Sequence, residues 1–388
     1  MSRLLRFQNG VNAPAEKYGR GVKFVSVSDI IQNDYVTYDN IAGSVDIDDA
    51  TLERYSVENG DMVFQRSSET VEDIGRANVY LDNRTATFGG FVIRGKKIGE
   101  YNPYFFKCLL YSNEARRKVI RAGAGAQHYN IGQEALSQIH LYFPEMAEQC
   151  QIADLLLLVS NRIDAQRKLV ELLKKHKRGV IDALFTPDAT WTTARFEDVF
   201  TILRNNALSR DSLDVGAGDI YNIHYGDVLI KFGELVDVMV DGVPVIKSSV
   251  ILARPDFLRN GDVVFADTAE DYDVGKVVEI LDCCASKVVS GLHTIPCRPK
   301  CHFAPGFLGF YLNSHQFRKN LMSLVQGTKV SSISKSALKG LTVCFPDECK
   351  QRRIAAILRA LTQRINGCES VLAKLERMKK GLLLQLFV

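Results

Sequence analysis

Two stretches of the chain decide its organisation: residues 149–163 read QCQIADLLLLVSNRI, and residues 351–365 read QRRIAAILRALTQRI. The match extends in both directions without a gap, from residues 143–185 onto residues 345–387, at a constant shift of 202. Over these 43 positions, 13 residues are identical to their partners. Ungapped agreement at this level predicts an internal repeat, and such a repeat governs how the whole fold is assigned.

Both stretches have the apolar spacing of a long amphipathic helix. In the first, Ile152, Leu156, Val159 and Ile163 alternate at steps of four and three residues. This spacing is typical of the a/d seam of a coiled coil, and about 40 residues would make each helix roughly 60 Å long. The seam residues expected at the helix–helix interface are Ile152, Leu156, Ile163, Leu173, Leu184, Ile354, Leu358, Ile365, Leu375 and Leu386.

The seam leaves two arrangements open, because such a helix can pair with another molecule or with the second helix of its own chain. We favour pairing within the chain, since each helix occupies the same place in its repeat and neither half has another partner. A pseudo-two-fold relation between the halves would make the pair antiparallel. Lys177 and Lys379 interrupt the seam at equivalent positions.

The segments between the helices have the pattern of mixed α/β domains. Asn59-Gly60-Asp61 recurs as Asn260-Gly261-Asp262, and turns of this kind separate short β-rich runs. Strands are predicted at residues 22–27, 62–65, 87–93, 228–232, 243–251, 263–266 and 276–281, helices at 104–120 and 307–325, and a strand before each Phe-Pro. The predicted class is α+β: two α/β globular domains at residues 1–143 and 187–345, separated by two long antiparallel helices at 144–186 and 346–388 that form a coiled coil.

The composition is that of an intracellular globular protein. Of 388 residues, 46% are hydrophobic and 24% are charged, which argues against disorder. No apolar run approaches the roughly 18 residues that span a membrane. Nine cysteines are scattered along the chain and the N-terminus lacks an apolar signal core, so reduced thiols and a cytoplasmic location are expected.

Charge is distributed in the same way in both halves. Residues 1–83 carry 8 Lys/Arg against 14 Asp/Glu, and residues 84–130 carry 9 against 2. Residues 190–275 carry 7 against 15, and residues 276–340 carry 9 against 2. Basic surface binds phosphates through counterion release. A single basic segment is often only a solvated face, but its recurrence in two diverged copies favours contact with nucleic acid.

A glycine-containing loop lies within each basic region. Gly125 aligns with Gly327, and small residues let the backbone approach a ligand closely; an ordinary helix-to-strand turn is the alternative. Candidate phosphate contacts are Lys96, Lys97, Arg116, Arg117, Lys118, Arg121, Arg318, Lys319 and Lys329. Candidates near the bases, with suitable donors and acceptors, are Gln127, His128, Tyr129, Thr328, Ser331 and Ser332.

Motifs of catalytic or metal sites are weak. Residues 102–105 read Asn-Pro-Tyr-Phe, similar to the Asn-Pro-Pro-Phe signature of adenine methyltransferases, but their alignment with residues 304–307 favours a structural helix start. No Walker-type phosphate loop is present. A zinc site could be formed by Cys283-Cys284, Cys297, Cys301 and His302. The Cys-x-x-Cys spacing of structural zinc is absent and the first half has no counterpart, so buried free thiols are favoured. We therefore predict no catalytic residues and no metal ligands.

Several stretches resemble the specificity (S) subunits of type I restriction–modification enzymes. The helix endings, at residues 177–185 and 378–387, resemble that family's conserved regions. Residues 220–229 (IYNIHYGDVL) and 21–30 (GVKFVSVSDI) resemble openings of its target-recognition domains, and Ser290-Gly291-Leu292-His293 is a further similarity. The resemblance covers the whole chain. The chain departs from the family pattern at its short N-terminus. The first domain is therefore expected to be clipped or to start elsewhere.

The resemblance implies a DNA reader without catalytic activity. Each globular domain would recognise one half of a bipartite DNA sequence, while the helices set the spacing between half-sites. Two copies of a methyltransferase subunit would dock on the helices and methylate an adenine in each half-site, and a restriction/translocase subunit could join. This chain would need no cofactor, because S-adenosylmethionine would bind to the methyltransferase subunits.

Other functions are compatible with parts of this pattern. The chain could be the recognition subunit of a related or solitary methylation system without a nuclease. A catalytic DNA methyltransferase or nuclease would instead show activity as the chain alone with S-adenosylmethionine and DNA. A coiled-coil scaffold without a DNA role would show no salt-sensitive DNA binding, even with partners present.

Overall fold

The computed structural model describes residues 1–123, 129–216, 218–270, 273–283, 286–327 and 330–387. These residues form two compact units. Unit 1 contains Met1–Lys168 and Glu369–Val388, and unit 2 contains Leu169–Cys368. Each unit therefore combines one globular segment with parts of both long helices.

Unit 1 alternates short strands with short helices before its long helix begins. The strands are β1 (Leu5–Asn9), β2 (Tyr18–Val25), β3 (Gly43–Val45), β4 (Ser56–Val57), β5 (Met62–Gln65), β6 (Ser67–Ser68), β7 (Ala77–Val79), β8 (Ala86–Phe88), β9 (Val92–Lys97) and β10 (Tyr129–Asn130). The helices are α1 (Val27–Gln32), α2 (Asp49–Arg54), α3 (Pro103–Leu110), α4 (Asn113–Ala122), α5 (Gln133–Ser137) and α6 (Met146–Leu184), with a 3-10 turn at Ala15–Lys17.

Two sheets build unit 1. One is antiparallel with the strand order β1-β9-β5-β7, and the other has the order β3-β2-β8-β4 with β2 and β8 parallel. Successive side chains of β5 point to opposite faces. Met62 and Phe64 join the core that contains α3 and the start of α6, and Val63 joins the core beneath the second sheet. The central strand is therefore buried on both faces.

Unit 2 has a similar succession of strands and helices. The strands are β11 (Thr192–Arg195), β12 (Phe200–Ile202), β13 (Leu213–Asp214), β14 (Ile220–Ile223), β15 (Leu235–Asp237), β16 (Val245–Ile246), β17 (Val263–Ala266), β18 (Thr268–Ala269), β19 (Val277–Asp282), β20 (Lys287–Ser290), β21 (Thr294–Pro299), β22 (Ser331–Ser332) and β23 (Thr342–Phe345). The helices are α7 (Phe196–Val199), α8 (Phe307–Leu312), α9 (His315–Met322), α10 (Lys335–Lys339) and α11 (Glu348–Leu386), with a 3-10 turn at Arg210–Ser212.

The sheets of unit 2 correspond to those of unit 1 in their central strands and differ at their edges. The first has the order β12-β21-β17-β19-β15, and the second has the order β13-β16-β14-β20 with β14 and β20 parallel. Val263 and Phe265 of the central strand face the core that holds α8 and the start of α11, while Val264 faces the core of the second sheet. The burial of the two central strands confirms that the Asn-Gly-Asp match marks structurally equivalent strands.

The same turn leads into the central strand of each unit. Gly60 has a φ of +90° and Gly261 a φ of +87°, values in the left-handed region that glycine adopts without a steric penalty. Asp61 and Asp262 each accept the backbone N–H of the residue three positions earlier and pair with an arginine of the adjacent strand. The buried carboxylate thus fixes both the turn and the strand edge.

The two long helices pack together in opposite directions, as their shared seam predicts. In unit 1, Arg167 of α6 lies 2.7 Å from Glu376 of α11, and Leu156 near the start of α6 shares a core with Leu386 at the end of α11. In unit 2 the end of α6 shares a core with the start of α11. All ten predicted seam residues are buried or half-buried. Pairing within the chain is confirmed, and no helix in the described ranges is long and apolar enough to cross a bilayer.

Four strand predictions are wrong. The strand expected at 87–93 is divided between β8 and β9 by a turn at Gly90 and Phe91. Residues 228–232 belong to a π-helical turn at Asp227–Lys231, because a short apolar run does not distinguish a strand from a buried helical turn. The strand expected at 243–251 shortens to β16, beyond which residues 247–249 are exposed. Residues 138–145 form no strand; in unit 2 the equivalent β23 pairs with β11, which has no counterpart among the described residues of unit 1.

The two helices predicted before the loops are each divided. Residues 104–120 form α3 and α4, separated at Ser112, whose hydroxyl accepts the Ala115 N–H and caps α4. Residues 307–325 form α8 and α9, separated at Ser314, which caps α9 in the same way. A serine at this position starts a new helix because its side chain satisfies an otherwise free N–H group.

Candidate nucleic-acid interface

Many of the basic residues that recur in both halves are engaged within their own unit. Arg84, Arg94 and Lys107 each pair with aspartates of the acidic segment that precedes them. In unit 2, Arg298 pairs with Asp262. The opposite charges of successive segments therefore partly neutralise each other inside each unit, and the charge pattern alone does not define a basic face.

Two equivalent arginines of the predicted phosphate set hold a backbone turn. Arg116 donates from its guanidinium to the carbonyl oxygen of Ile74 at 2.8 Å, and Arg318 donates to that of Val274 at 3.2 Å. Both arginines are half-buried, and burial lowers the pKa of each guanidinium. They fasten α4 and α9 to the turns that lead into β7 and β19.

The other predicted phosphate contacts are more accessible. The exposed members are Lys97, Arg117, Arg121 and Lys319. Lys96 and Lys118 are half-buried and each lies next to a glutamate of unit 1. Because α4 and α9 carry three of the exposed cations, these helices offer the clearest positive surface of the set.

A two-stranded ribbon anchors the far end of each predicted loop. In unit 1, β10 pairs with β6 through Tyr129 and Ser68; in unit 2, β22 pairs with β18 through Ser331 and Ala269. Tyr129 and Ser331 are half-buried and Ser332 is exposed. The predicted contacts that lie outside the described residues are Gln127, His128, Thr328 and Lys329.

One residue in each unit joins this ribbon to the tip of a turn that connects the two sheets, between β8 and β9 in unit 1 and between β20 and β21 in unit 2. The Arg66 N–H donates to the carbonyl oxygen of Phe91 at 2.9 Å, and its carbonyl accepts the N–H of the residue after β10 at 3.0 Å. Asp267 makes the same two bonds in unit 2, with His293 at 3.1 Å and with the residue after β22 at 2.8 Å. Sequence reasoning did not single out these residues, although the 202-residue shift aligns Phe91 with His293.

Equivalent glutamines fasten each long helix to the globular segment before it. Gln149 accepts the Asn102 N–H at 3.0 Å and donates to the Pro144 carbonyl at 2.8 Å. Gln351 makes the same two bonds in unit 2, at 3.0 and 2.9 Å. The Asn102 side chain caps α3, so the methyltransferase-like motif is a helix start, as predicted.

The residues of the zinc alternative do not converge. Cys297 is buried, and burial raises the pKa of its thiol, whereas Cys301 is exposed. His302 lies 3.3 Å from Glu348. Across the described ranges, which omit Cys284, no group of three or more His, Cys, Asp or Glu side chains could hold a metal ion.

Helix α6 also presents apolar residues outside the seam. Leu155, Leu158, Leu169 and Leu172 are exposed, with Leu158 at 69% and Leu172 at 64% of full exposure. At 100° per residue these four side chains fall within one face of the helix. Leu155 and Leu158 lie in unit 1 and Leu169 and Leu172 in unit 2, and exposed apolar side chains of this kind are available for contact with another protein.

Two solved structures with a similar fold are both described as parts of type I restriction–modification systems. The crystal structure of the type I restriction–modification system S subunit from M. genitalium aligns with 99% of this chain and 94% of its own chain, at a TM-score of 0.60 and 14% identity. This chain has the fold of a type I specificity subunit. A chain from a structure of complex assembly and conformational transition in a type I R-M system aligns over 99% and 97%, at a TM-score of 0.50 and 16% identity.

The sequence comparison matches a smaller part of the chain than the structural comparison does. The type I restriction enzyme MjaX specificity subunit of Methanocaldococcus jannaschii is 26% identical over 184 residues, which are 46% of this chain and 42% of that protein. The match therefore spans less than half the length of the curated relative. No family model matches the chain.

Proposed function

We propose that this chain is the DNA-recognition subunit of a type I restriction–modification enzyme, in which each globular domain reads one half of a bipartite target. The observation that carries this function is the repeat within a specificity-subunit fold: two units with one backbone plan share two paired helices of 39 residues each. The recognition domains are residues 1–143 and 187–345, and the spacer helices are residues 144–186 and 346–388.

The accessible cations of α4 and α9 are the proposed phosphate contacts. Arg117, Arg121 and Lys319 are exposed, so they can reach a DNA backbone; the Arg117 Nε–H donates to the Asn113 carbonyl of its own helix at 3.2 Å, which leaves its other N–H groups for a phosphate. Arg116 and Arg318 act through the turns that they hold, positioning the exposed cations beside them. The ribbon residues Tyr129, Ser331 and Ser332 follow the glycine-containing loops in the sequence and are the proposed contacts near the bases.

The long helices carry the protein partners in this proposal. Their seam residues face each other, while the exposed leucines of α6 remain available for a methyltransferase subunit. Two such subunits would dock on the helices and bring S-adenosylmethionine, and restriction subunits could join the complex. The chain itself supplies recognition and spacing and performs no chemistry.

The assignment is tested by comparing the chain alone, its cognate methyltransferase subunit alone, and both together, each with S-adenosylmethionine and genomic DNA. We expect sequence-specific adenine methylation only with both components present. Methylation by the chain alone would make it an enzyme. Absence of sequence-specific DNA binding by the assembled complex would instead leave only a scaffold.

The spacing role has a separate test. Inserting about one helical turn, roughly four residues, into both α6 and α11 should change the number of unread base pairs between the half-sites while leaving each half-site sequence unchanged. The same insertion in an exposed loop of unit 2, beside residues 247–249, is the control. An unchanged spacer in the helix variant would refute the ruler.

A further inference from the structure

We propose that Phe91 and His293, at the tips of equivalent turns that connect the two sheets of each unit, each read bases in the half-site bound by their own unit. This inference rests on the proposed function and deepens it, because it names residues that would distinguish the two half-sites. Neither residue belongs to the phosphate set or to the glycine-loop set described above. Phe91 lies between β8 and β9, and His293 lies between β20 and β21.

The backbone around the two tips is the same. The Gly89 N–H donates to the Val25 carbonyl at 3.0 Å, and the Gly291 N–H donates to the Ile223 carbonyl at 2.9 Å. On the other side, the tip carbonyl accepts from Arg66 in unit 1 and from Asp267 in unit 2, as described above. Backbone hydrogen bonds thus hold each tip on both sides, and the His293 ring also lies 3.4 Å from the Asp267 carboxylate.

The side chains carried by this common backbone differ in chemistry. The tip holds a phenyl ring in unit 1 and an imidazole in unit 2, and the residue bonded to it is a cation, Arg66, in one case and an anion, Asp267, in the other. A phenyl ring makes apolar contact with a thymine methyl, whereas imidazole can hydrogen-bond a base edge. Two domains that recognise different DNA sequences require different exposed side chains, and here these side chains are carried on the same backbone arrangement.

Both side chains are available to a ligand. Phe91 is 69% exposed, although a phenyl ring in water forfeits the gain from burial. The His293 side chain is 48% exposed, and its backbone has a φ of +53°. Such a conformation is costly for a residue with a side chain and concentrates at functional sites. Tyr225, whose ring centroid lies 5.3 Å away, supports the imidazole.

The tips also lie beside the two-stranded ribbons that contain Tyr129 and Ser331. Arg66 and Asp267 each bond to a tip and to the residue that follows the ribbon strand, so tip and ribbon are adjacent in each unit. A two-stranded β-ribbon can enter the major groove of B-form DNA. The tips would therefore approach the same bases as the ribbons.

The test uses the full complex with its methyltransferase subunits and compares methylation rates on targets carrying single base changes in either half-site. Phe91→Ala should reduce discrimination at one or two positions of one half-site by roughly 10- to 100-fold, and His293→Ala should do the same only in the other half-site. Matched controls are Ile98→Ala and Cys301→Ala, exposed residues just beyond the far ends of β9 and β21.

Each outcome decides the proposal. Thermal unfolding and complex assembly of the variants should match those of the wild type, since both tip side chains are exposed; Phe91→Tyr and His293→Gln provide milder replacements if they do not. Unchanged discrimination in these variants would overturn the inference, as would an equal loss on both half-sites or on all sequences. A wild-type complex without a bipartite target would overturn the proposed function itself.

Discussion

Lys379 Nζ of the last helix lies 2.6 Å from Asp34 Oδ1 of the first globular segment. The equivalent Lys177 of the first long helix lies 2.6 Å from Glu234 Oε1 in unit 2. These are the two lysines that interrupt the apolar seam. The interruption therefore has a structural reason, because each lysine ties the end of a long helix to the globular segment packed against it.

Replacing the carboxylate should affect unit 1 more than unit 2. Asp34 also pairs with the buried Lys107 at 2.9 Å, so Asp34→Asn would leave two lysines without their anion and should cost about 3–5 kcal/mol. Glu234→Gln removes one pair and should cost about 1–3 kcal/mol. Denaturant unfolding at pH 7 measures both, and a larger loss for Glu234→Gln would contradict this account.

The ion pairs of Asp34 with Lys107 and Lys379 predict that the stability of unit 1 is sensitive to acid. Burial alone would raise the pKa of the Asp34 carboxyl, but Lys107 and Lys379 hold that pKa below its usual range. A carboxyl with a depressed folded pKa contributes stability above its unfolded pKa and loses it as pH falls toward the folded value. Below about pH 4, the difference in unfolding free energy between wild type and Asp34→Asn should therefore shrink; a constant difference down to pH 2 would refute the linkage.

The two glutamine clamps should behave alike. Gln149→Ala and Gln351→Ala each leave one backbone N–H and one carbonyl without a partner near a buried helix start, which should cost about 2–4 kcal/mol. Gln363→Ala, an exposed change on α11, should cost less than about 0.5 kcal/mol. Melting temperatures of the three variants test this, and a negligible effect at either clamp would show that its two bonds do not stabilise the helix junction.

The sequence predicts a structural element reliably where its pattern extends over many residues, and poorly where the pattern covers only a few. The helix pair follows from ungapped identity over 43 positions, and Gln149 and Gln351 are among the identical residues because both make the same bonds. The π-helical turn at Asp227–Lys231 has no such signal, since a five-residue apolar run is compatible with several conformations. The ion pairs of Asp34 and Glu234 were equally invisible, because their partners lie far away in sequence.

Glu279 gives unit 2 a distinct pH response. Its carboxylate is buried and accepts the N–H groups of Gly306 at 2.7 Å and Gly309 at 2.8 Å. Burial outweighs these bonds and raises the pKa of Glu279 to about 7. The native state then binds more protons than the unfolded state between about pH 4.5 and pH 7, so this group's contribution to stability falls as pH rises through that window.

Glu279→Gln should remove this pH dependence while weakening one of the two N–H contacts. The wild type should therefore lose more of its melting temperature than the variant between pH 5 and pH 8. Glu197→Gln, an exposed replacement in the same unit, should keep the wild-type profile. Parallel profiles for wild type and Glu279→Gln would show that Glu279 does not titrate in this range.

The arginines of α4 should separate DNA binding from stability. Replacing both Arg117 and Arg121 with alanine should weaken binding to every DNA sequence and flatten the plot of log affinity against log salt by about two phosphate contacts. Arg116→Ala should instead lower the melting temperature, because its guanidinium holds the turn at Ile74. Unchanged binding by the double variant at several salt concentrations would refute the phosphate assignment.

The candidate interface was less predictable than the fold. The basic segments of both halves are visible in the sequence, but their ion pairs within each unit are not. Arg84 pairs with an aspartate on a nearby turn, and Arg94 and Lys107 pair with aspartates that lie 33 and 73 residues away. Phe91 and His293 could be aligned by the repeat, yet only the structure shows that one backbone frame exposes both. The charge pattern thus identifies the basic segments, whereas packing within each unit determines which of their residues remain exposed for contact with DNA.

The central claim is that the two units read the two halves of one target. Modification-sensitive sequencing of DNA exposed to this chain with its cognate methyltransferase subunit measures this directly. We expect a bipartite motif, with two different specific half-sites separated by a fixed number of unread base pairs and a methylated adenine in each. A continuous motif, or methylation without sequence preference, would contradict the account.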